Sequence, residues 1–262
     1  MSIYDKQAKM FYCEEKDKIK YYKSSIIDDS KIIHAFTTRS CGTLGTAGEQ
    51  ELKPLVEKNR REICKILSLS YENLVIPEQK HTDNIKIVTS VCDDVSNTDG
   101  LITSAENIVL MLLFADCTPI ILHSEKDRVI GVIHAGWRGT AKKIAQKAIS
   151  LFVNDFNVNP ENIKAMIGPA IGQCCYPVSK DTALELQKSI KEDHGNIFKK
   201  DKKEDKISVD LKKLNACQLE EMGVINIDIS PFCTNCMKDI FYSYRGDNAK
   251  TGRHAAIASI IK

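Results

Sequence analysis

Short, nearly uninterrupted apolar runs recur along the chain, each closed by a turn signal. Residues 32–37, 73–76, 85–91, 108–114, 119–123, 129–134, 163–167, 225–229 and 254–261 read as strands. Several are apolar at consecutive rather than alternate positions, the pattern of a strand covered on both faces. Helical spacing marks residues 54–67, 140–156 and 211–222, with a less regular stretch at 180–192. Within 140–156, Ile144, Ala148, Leu151 and Phe152 share one helical face. Strands outnumber helices and follow one another from 73 to 134. The pattern therefore predicts an α/β chain of the α+β type, with packed mixed sheets flanked by helices, rather than a regular βαβ alternation. No internal repeat or Pro/Gly/Ser-rich linker divides it. Residues 31–262 read as one domain, and 1–30 as an N-terminal extension packing on it.

Composition adds limits. A chain of 262 residues with 43% hydrophobic and 27% charged residues is globular in type, which excludes disorder, collagen and coiled coil as its main state. The formal charge is +2, from 37 basic against 35 acidic residues, with no basic stripe of the kind nucleic acid requires. The densest charge run, 199–206, mixes both signs and reads as a solvated loop. The longest apolar run, 108–115, is far short of the roughly 20 residues of a membrane span. No apolar leader stretch stands among the first residues. A cytoplasmic protein with no membrane or nucleic-acid partner is expected. Nothing in the pattern sets the oligomeric state beyond monomer or homodimer. In a cytoplasmic setting the 10 cysteines are reduced, and serve as packing residues, metal ligands or nucleophiles.

Three motifs stand where apolar strands open into loops: Gln79-Lys80-His81, Ala115-Asp116-Cys117-Thr118-Pro119 and His134-Ala135-Gly136-Trp137-Arg138-Gly139. Strand ends of this kind hold a loop rigidly while it faces solvent. His81, Cys117 and His134 together form a His₂Cys set. Zinc takes imidazole nitrogen and thiolate, and a catalytic zinc keeps a fourth position open. Separated ligands are weak evidence alone, since lone buried His and Cys residues commonly serve packing. Asp116, however, closes a hydrophobic run, where a carboxylate is costly without a partner or a polar cavity.

These motifs resemble the YfiH-type family of laccase-domain, or polyphenol-oxidase-like, proteins. Further segments agree in order: His34-Ala-Phe-Thr-Thr-Arg39, Asn59-Arg60, Thr98-Asp-Gly-Leu-Ile-Thr103, Ile167-Gly-Pro-Ala-Ile-Gly172 leading to Cys175-Tyr176, Phe241-Tyr-Ser-Tyr-Arg245 and Thr251-Gly-Arg253. They run from about residue 31 to the end of the chain. The chain departs from the family pattern at Ser40-Cys-Gly-Thr43, which replaces a Gly-Gly pair, and at Gly246, where a second Arg is common. The resemblance implies a single YfiH-like, cysteine-hydrolase-like α/β domain. It implies zinc at His81, Cys117 and His134, which are then also the catalytic residues. It implies phosphorolysis of adenosine, inosine, guanosine and methylthioadenosine, with adenosine deamination as a side activity. Bacterial members are also described as peptidoglycan editing factors.

The chemistry can be weighed on the residues. Full multi-copper oxidation needs about ten histidine ligands, whereas this chain has His34, His81, His123, His134, His194 and His254. Copper is therefore the less favoured metal, and zinc hydrolytic or transfer chemistry fits better. The His-x-Glu and Pro-Cys-x-x-Cys pairing of the familiar zinc deaminases is missing. Asp116 is either a proton shuttle or an orienting group. Phosphorolysis needs an oxyanion site. In a lysine-biased chain, Arg39, Arg138, Arg245 and Arg253 lie in the motifs and offer planar forks for phosphate and nucleoside, Arg39 foremost. Cys174, Cys175, Cys233 and Cys236 have no second pair at zinc-finger spacing, and read as packing residues or neighbours of the active site. The competing reading makes Cys117 the nucleophile of a cysteine hydrolase or peptidoglycan-editing enzyme, with His134 or His81 as its base.

Overall fold

The computed structural model describes residues 11–27, 30–46, 48–193, 196–200 and 205–262. The first ten residues, His194 and residues 201–204, the middle half of the charged run at 199–206, lie outside the described residues.

Two six-stranded mixed sheets pack face to face between helical layers. The first sheet runs in the order β1 (Phe11–Lys16), β2 (Ile19–Ser24), β3 (Ile32–Thr37), β15 (His254–Ile260), β7 (Val109–Phe114) and β4 (Leu74–Val75). The second runs β14 (Asn226–Ile229), β10 (Ile163–Ile167), β8 (Thr118–Ser124), β9 (Val129–Ala135), β6 (Gly100–Thr103) and β5 (Ile85–Ile87). Strand pairs β4·β7, β5·β6 and β10·β14 are parallel, and the other pairs in these two sheets are antiparallel. A small third sheet joins β11 (Pro177–Val178), β13 (Ile207–Val209) and β12 (Phe198–Lys200).

The continuous apolar runs follow from this layering. Along β7, Leu110, Leu112 and Phe114 face the second sheet, while Val109 and Met111 face α1 (Lys53–Ile66). Along β9, Ile130 and Val132 join the inter-sheet core. Ile133 and Ala135 pack instead on α3 (Ile144–Phe156) and α5 (Leu211–Glu220). Both faces of each strand need apolar side chains, so alternation disappears. The expected α+β class with packed mixed sheets is what the structure has. No helix among the described residues is long and apolar enough to cross a membrane.

Several local expectations are corrected. The helix expected over 140–156 is two: α2 (Trp137–Ala141) and α3, parted where Lys143 takes φ 62°. The carbonyl of Thr140, released by that break, accepts from Gln218 Nε2 at 2.8 Å. The 180–192 stretch is helical only as α4 (Lys180–Gln187), and the 85–91 strand only as β5. Residues 11–24 form a hairpin whose two-residue turn sets Asp17 and Lys18 at positive φ, and β2 bonds directly to β3.

Ser24, at the end of that hairpin, donates its hydroxyl to the buried Asp228 on the second sheet. Burial pushes the Asp228 carboxyl up to about 6, against the hydrogen bond from Ser24. A carboxyl raised in the folded state binds its proton more tightly there than in the unfolded chain. Its contribution to stability is therefore complete below the unfolded value near 4 and is lost as pH rises through about 6. A rise from near 4 to about 6 corresponds to roughly 2–3 kcal/mol. Asp228→Asn keeps the hydrogen-bonding shape without the charge. In urea unfolding it is expected to gain stability relative to wild type between pH 4 and 7, with equal pH dependence of the two proteins as the contrary result.

Candidate active site

The chain crosses from the first sheet to the second between β7 and β8, through Ala115, Asp116 and Cys117. Asp116 sits at φ 87°, which turns the chain sharply and directs Cys117 toward β9. His134 lies on β9, paired with Pro119 of β8. His81 comes from the loop between β4 and β5, also in the left-handed region at φ 58°. That loop is clipped to β7 by Gln79, whose amide accepts from Leu113 N at 2.8 Å and donates to Leu113 O at 2.9 Å.

These three segments bring one ligand atom each from His81, Cys117 and His134 within 4.8 Å of one another. Cys117 Sγ is 3.8 Å from His81 Nε2. The two imidazoles meet edge to face, with centroids 4.9 Å apart. Gly136 makes the approach possible: a Cβ there would stand 3.1 Å from both Cys117 Sγ and His81 Cδ2.

A buried carboxylate that sequence reasoning had not assigned to the site organises it. Asp99, just before β6, takes His134 Nδ1 at 2.8 Å on Oδ1. The same carboxylate accepts the amides of Lys80 (3.2 Å), His81 (3.1 Å) and Thr82 (2.6 Å), and the Thr82 hydroxyl at 2.8 Å. Its only sequence signal is the segment Thr98-Asp-Gly, read above as part of the family pattern. Burial raises the Asp99 carboxyl, but His134 and the Thr82 donors outweigh it and bring it down to about 2. Burial likewise raises the Cys117 thiol, yet the His134 and His81 rings bring it down to about 6. Burial opposes the His134 imidazolium, but Cys117 and Asp99 hold it up near 9. Without a metal the geometry therefore favours a thiolate–imidazolium pair. The same set, with Asp99 fixing the His134 tautomer so that Nε2 is the ring nitrogen left for a ligand, fits a tetrahedral zinc with one open position.

A cavity of about 690 Å³ opens over these residues. Its walls include Gln79, Trp137, Tyr176, Tyr244 and the four arginines Arg60, Arg138, Arg245 and Arg253. Arg138 lies over the Trp137 ring at 4.4 Å, and Arg245 over the Tyr176 ring at 5.2 Å. Neither forms an ion pair among the described residues. Arg253 spends one nitrogen on the carbonyls of Thr251 and Gly252, and Arg60 spends Nε on Leu44 O.

The structure does not bring Arg39 to this cavity. Its guanidinium pairs with Asp247, donates from Nε to Phe241 O at 2.9 Å, and lies 4.4 Å from the Tyr242 ring centroid. It fastens the 241–247 loop, and Arg60 stands in the cavity wall instead. Asp116 borders the cavity, but its oxygens are taken by the Thr234 hydroxyl at 2.6 Å and the Arg245 amide at 2.7 Å. That arrangement favours an orienting group over a proton shuttle. Of the histidines other than His81 and His134, His34 accepts from Ser24 N at 3.1 Å, His123 is buried on β8, and His254 lies between Phe114 and Phe241. Among the described residues, no histidine-rich copper cluster can form around the cavity.

Fold and site together define an α/β/β/α domain with a His₂Cys centre beneath an arginine-walled cleft. A family profile described as "Multi-copper polyphenol oxidoreductase laccase" matches residues 34–261, and the chain belongs to that family. Among its relatives, purine nucleoside phosphorylase YlmD of Geobacillus stearothermophilus is 34% identical over 212 residues, covering 77% of each chain. The human purine nucleoside phosphorylase LACC1 is 25% identical over 94% of this chain and 59% of its own length. The crystal structure of YlmD from Geobacillus stearothermophilus superposes with a TM-score of 0.87 at 29% identity, covering 95% of this chain and 99% of that one. That of YfiH from Bacillus licheniformis gives 0.83 at 30% identity, covering 92% and 96%.

Two outcomes are expected from the electrostatics. In metal-stripped protein, iodoacetamide should alkylate Cys117 about tenfold faster at pH 7.5 than at pH 5, because a lowered thiol pKa supplies thiolate above about 6. Peptide mapping checks the site, and a rise of roughly 300-fold over the same interval, that of a thiol at its ordinary value near 9, would refute the ion pair. Asp99→Asn should weaken zinc binding at this centre by roughly 10–100-fold, measured by competition with a chromogenic chelator.

Proposed function

We propose that this chain is a zinc-dependent purine nucleoside phosphorylase, converting adenosine, inosine, guanosine or methylthioadenosine and phosphate into free base and ribose 1-phosphate. Adenosine deamination is its side activity, the cytoplasm its setting, and residues 31–262 its single catalytic domain. The observation that carries the reading is the His81–Cys117–His134 set at the base of a cleft walled by arginines and aromatic rings. The names of the relatives point the same way.

His81, Cys117 and His134 would hold the zinc, with Asp99 locking the His134 ring. Zinc held there supplies positive charge and Lewis acidity beside the nucleoside, which serves both phosphorolysis and deamination. Arg138 and Arg245 extend planar forks into the cleft and are placed to hold the phosphate dianion. Arg253 and Arg60 add positive charge to the same wall. Tyr176, Tyr244 and Trp137 offer faces and edges for a purine ring. Asp116 holds the Arg245 backbone in place through its amide. In the reaction a phosphate oxygen bonds to C1′ of the ribose as the glycosidic bond breaks, and the purine takes a proton as it leaves.

The second reading, a cysteine hydrolase or peptidoglycan-editing enzyme, is favoured by one observation: the lowered Cys117 thiol beside His134. Zinc discriminates between them, since a thiolate bound to a metal is a poor nucleophile.

The test is a product assay with zinc-loaded protein and adenosine, with and without phosphate, followed by chromatography. The expected products are adenine and ribose 1-phosphate, only with phosphate present, falling at least about a hundredfold in Cys117→Ser. Arg245→Ala should raise the KM for phosphate about tenfold and leave that for nucleoside nearly unchanged. Inosine formed without any phosphate requirement would make deamination the main activity. No conversion by metal-loaded protein would overturn the purine reading.

A further inference from the structure

A second group of metal-ligating side chains stands beside the cleft: Cys174, Cys175, Cys233 and Cys236. Sequence spacing argues against a site there, since two of the four are adjacent and only one Cys-x-x-Cys exists. The topology removes that objection. Strands β10 and β14 are parallel neighbours, with Ile167 paired to Ile229, so their C-terminal ends emerge side by side. The loops that follow stay together: Ser230 N donates to Ile167 O at 2.8 Å, and Thr234 N to Ala170 O at 3.0 Å. The tight turn at 173–175 then carries Cys174 and Cys175 against the Cys233-Thr-Asn-Cys236 loop.

All four sulfurs lie within 4.8 Å of one another. Cys236 Sγ is 3.5 Å from both Cys174 Sγ and Cys175 Sγ. Those separations are far above a disulfide's roughly 2.05 Å, and none of the four is bonded to another. They are close to the edge of about 3.8 Å that four sulfurs describe around one tetrahedral ion at 2.3 Å. The group is also too tight to enclose a cluster of several irons. Gly172 N donates to Cys233 Sγ at 3.1 Å, the kind of amide contact that supports a ligating thiolate. A Cβ on Gly172 would stand 3.2 Å from Cys174 Sγ and 3.1 Å from Cys233 Cβ, so the residue there must stay small. The buried Lys212 ammonium grips the carbonyls of Ser230 (2.6 Å) and Phe232 (2.9 Å), the residues leading into Cys233. It offsets part of the negative charge that four thiolates bring.

We propose that Cys174, Cys175, Cys233 and Cys236 bind a second divalent metal ion, zinc by its fit to a tetrahedral tetrathiolate set, in a closed structural site. This ion staples two walls of the cleft. Tyr176 follows Cys175 directly and lines the cavity. Thr234, inside the Cys233–Cys236 loop, bonds Asp116, whose other oxygen holds the Arg245 amide. The staple thus fixes the wall that presents Tyr176 and Arg245, and it stands whether or not the purine reading does.

The test measures metal per chain by mass spectrometry in full-length protein purified under reductant. Cys174→Ser and Cys236→Ser alter exposed ligands and are each expected to lose one equivalent of zinc, both in wild type and when added to Cys117→Ser, which by itself removes only a ligand of the His81–Cys117–His134 centre. Cobalt loaded into Cys117→Ser should give intense thiolate-to-cobalt charge-transfer absorption, lost when Cys236→Ser is added. In wild type, bound zinc should slow N-ethylmaleimide labelling of Cys174 and Cys236 at least about tenfold, a readout that requires no variant to fold. Equal metal content and cobalt spectra with and without Cys236, or labelling rates unchanged by zinc, would overturn the proposal.

Discussion

A carboxylate with no exposed surface must be surrounded by donors or abandon its charge, and Asp99 meets that condition in a way that shapes its whole neighbourhood. Three consecutive amides, from Lys80, His81 and Thr82, converge on it. Such convergence demands a nest-like backbone, and the positive φ of His81 is its direct consequence. The carboxylate also takes Nδ1 of His134, from the other side of the centre. One buried anion therefore joins a loop and a strand that are more than fifty residues apart. It sets both imidazoles facing Cys117, and the energy that keeps Asp99 ionised is the energy that preorganises the centre.

Asp116 repeats the device on the opposite side. It too is buried, and it too is satisfied by donors from distant parts of the chain, Thr234 and Arg245. Its backbone, at φ 87°, carries the chain between the sheets, and its carbonyl accepts Ile171 N at 2.9 Å. Where Asp99 orders the ligand set, Asp116 orders the cleft wall. Asp99 does not line the cavity, and each oxygen of Asp116 already holds a donor, an arrangement that favours an orienting role over proton transfer for both.

The parts of the fold that were legible in the sequence are those where one force dominates. Strands β7, β8 and β9 are buried on both faces, and burial alone writes their apolar runs. Helix α1 is equally clear because only one of its faces meets a sheet. The break at Lys143 was not legible, since residues on either side of it keep helical spacing while the side chains that reward the break, Gln218 and Asn215, lie some 75 residues away. The hairpin at 11–24 reads as an extension because its strands are polar on one side and pair only at one sheet edge. The His81, Cys117 and His134 positions could be read because strand ends punctuate the sequence. Arg39 and Arg60 could not be told apart, because their motifs say nothing of which guanidinium meets Asp247. The four-cysteine group was hidden for a related reason: parallel pairing of β10 and β14 creates a proximity that linear spacing does not encode.

The electrostatics of the centre also relate the two readings of Cys117 to each other. With the thiol lowered to about 6 and the imidazole raised to about 9, Cys117 is already deprotonated near neutral pH while His134 still holds a proton. A metal ion arriving there has no thiol proton to displace and one imidazolium proton to expel. The ion and that proton compete for the same face of His134, because Asp99 occupies the other. The nucleophile state and the metal state are thus alternatives of one charge arrangement and cannot coexist in one molecule. Four arginines stand in the cleft wall in either state, and their charge favours an anion above the centre. A transferase whose second substrate is phosphate has a direct use for that charge, and the wall supports the phosphorolytic reading on grounds independent of the metal.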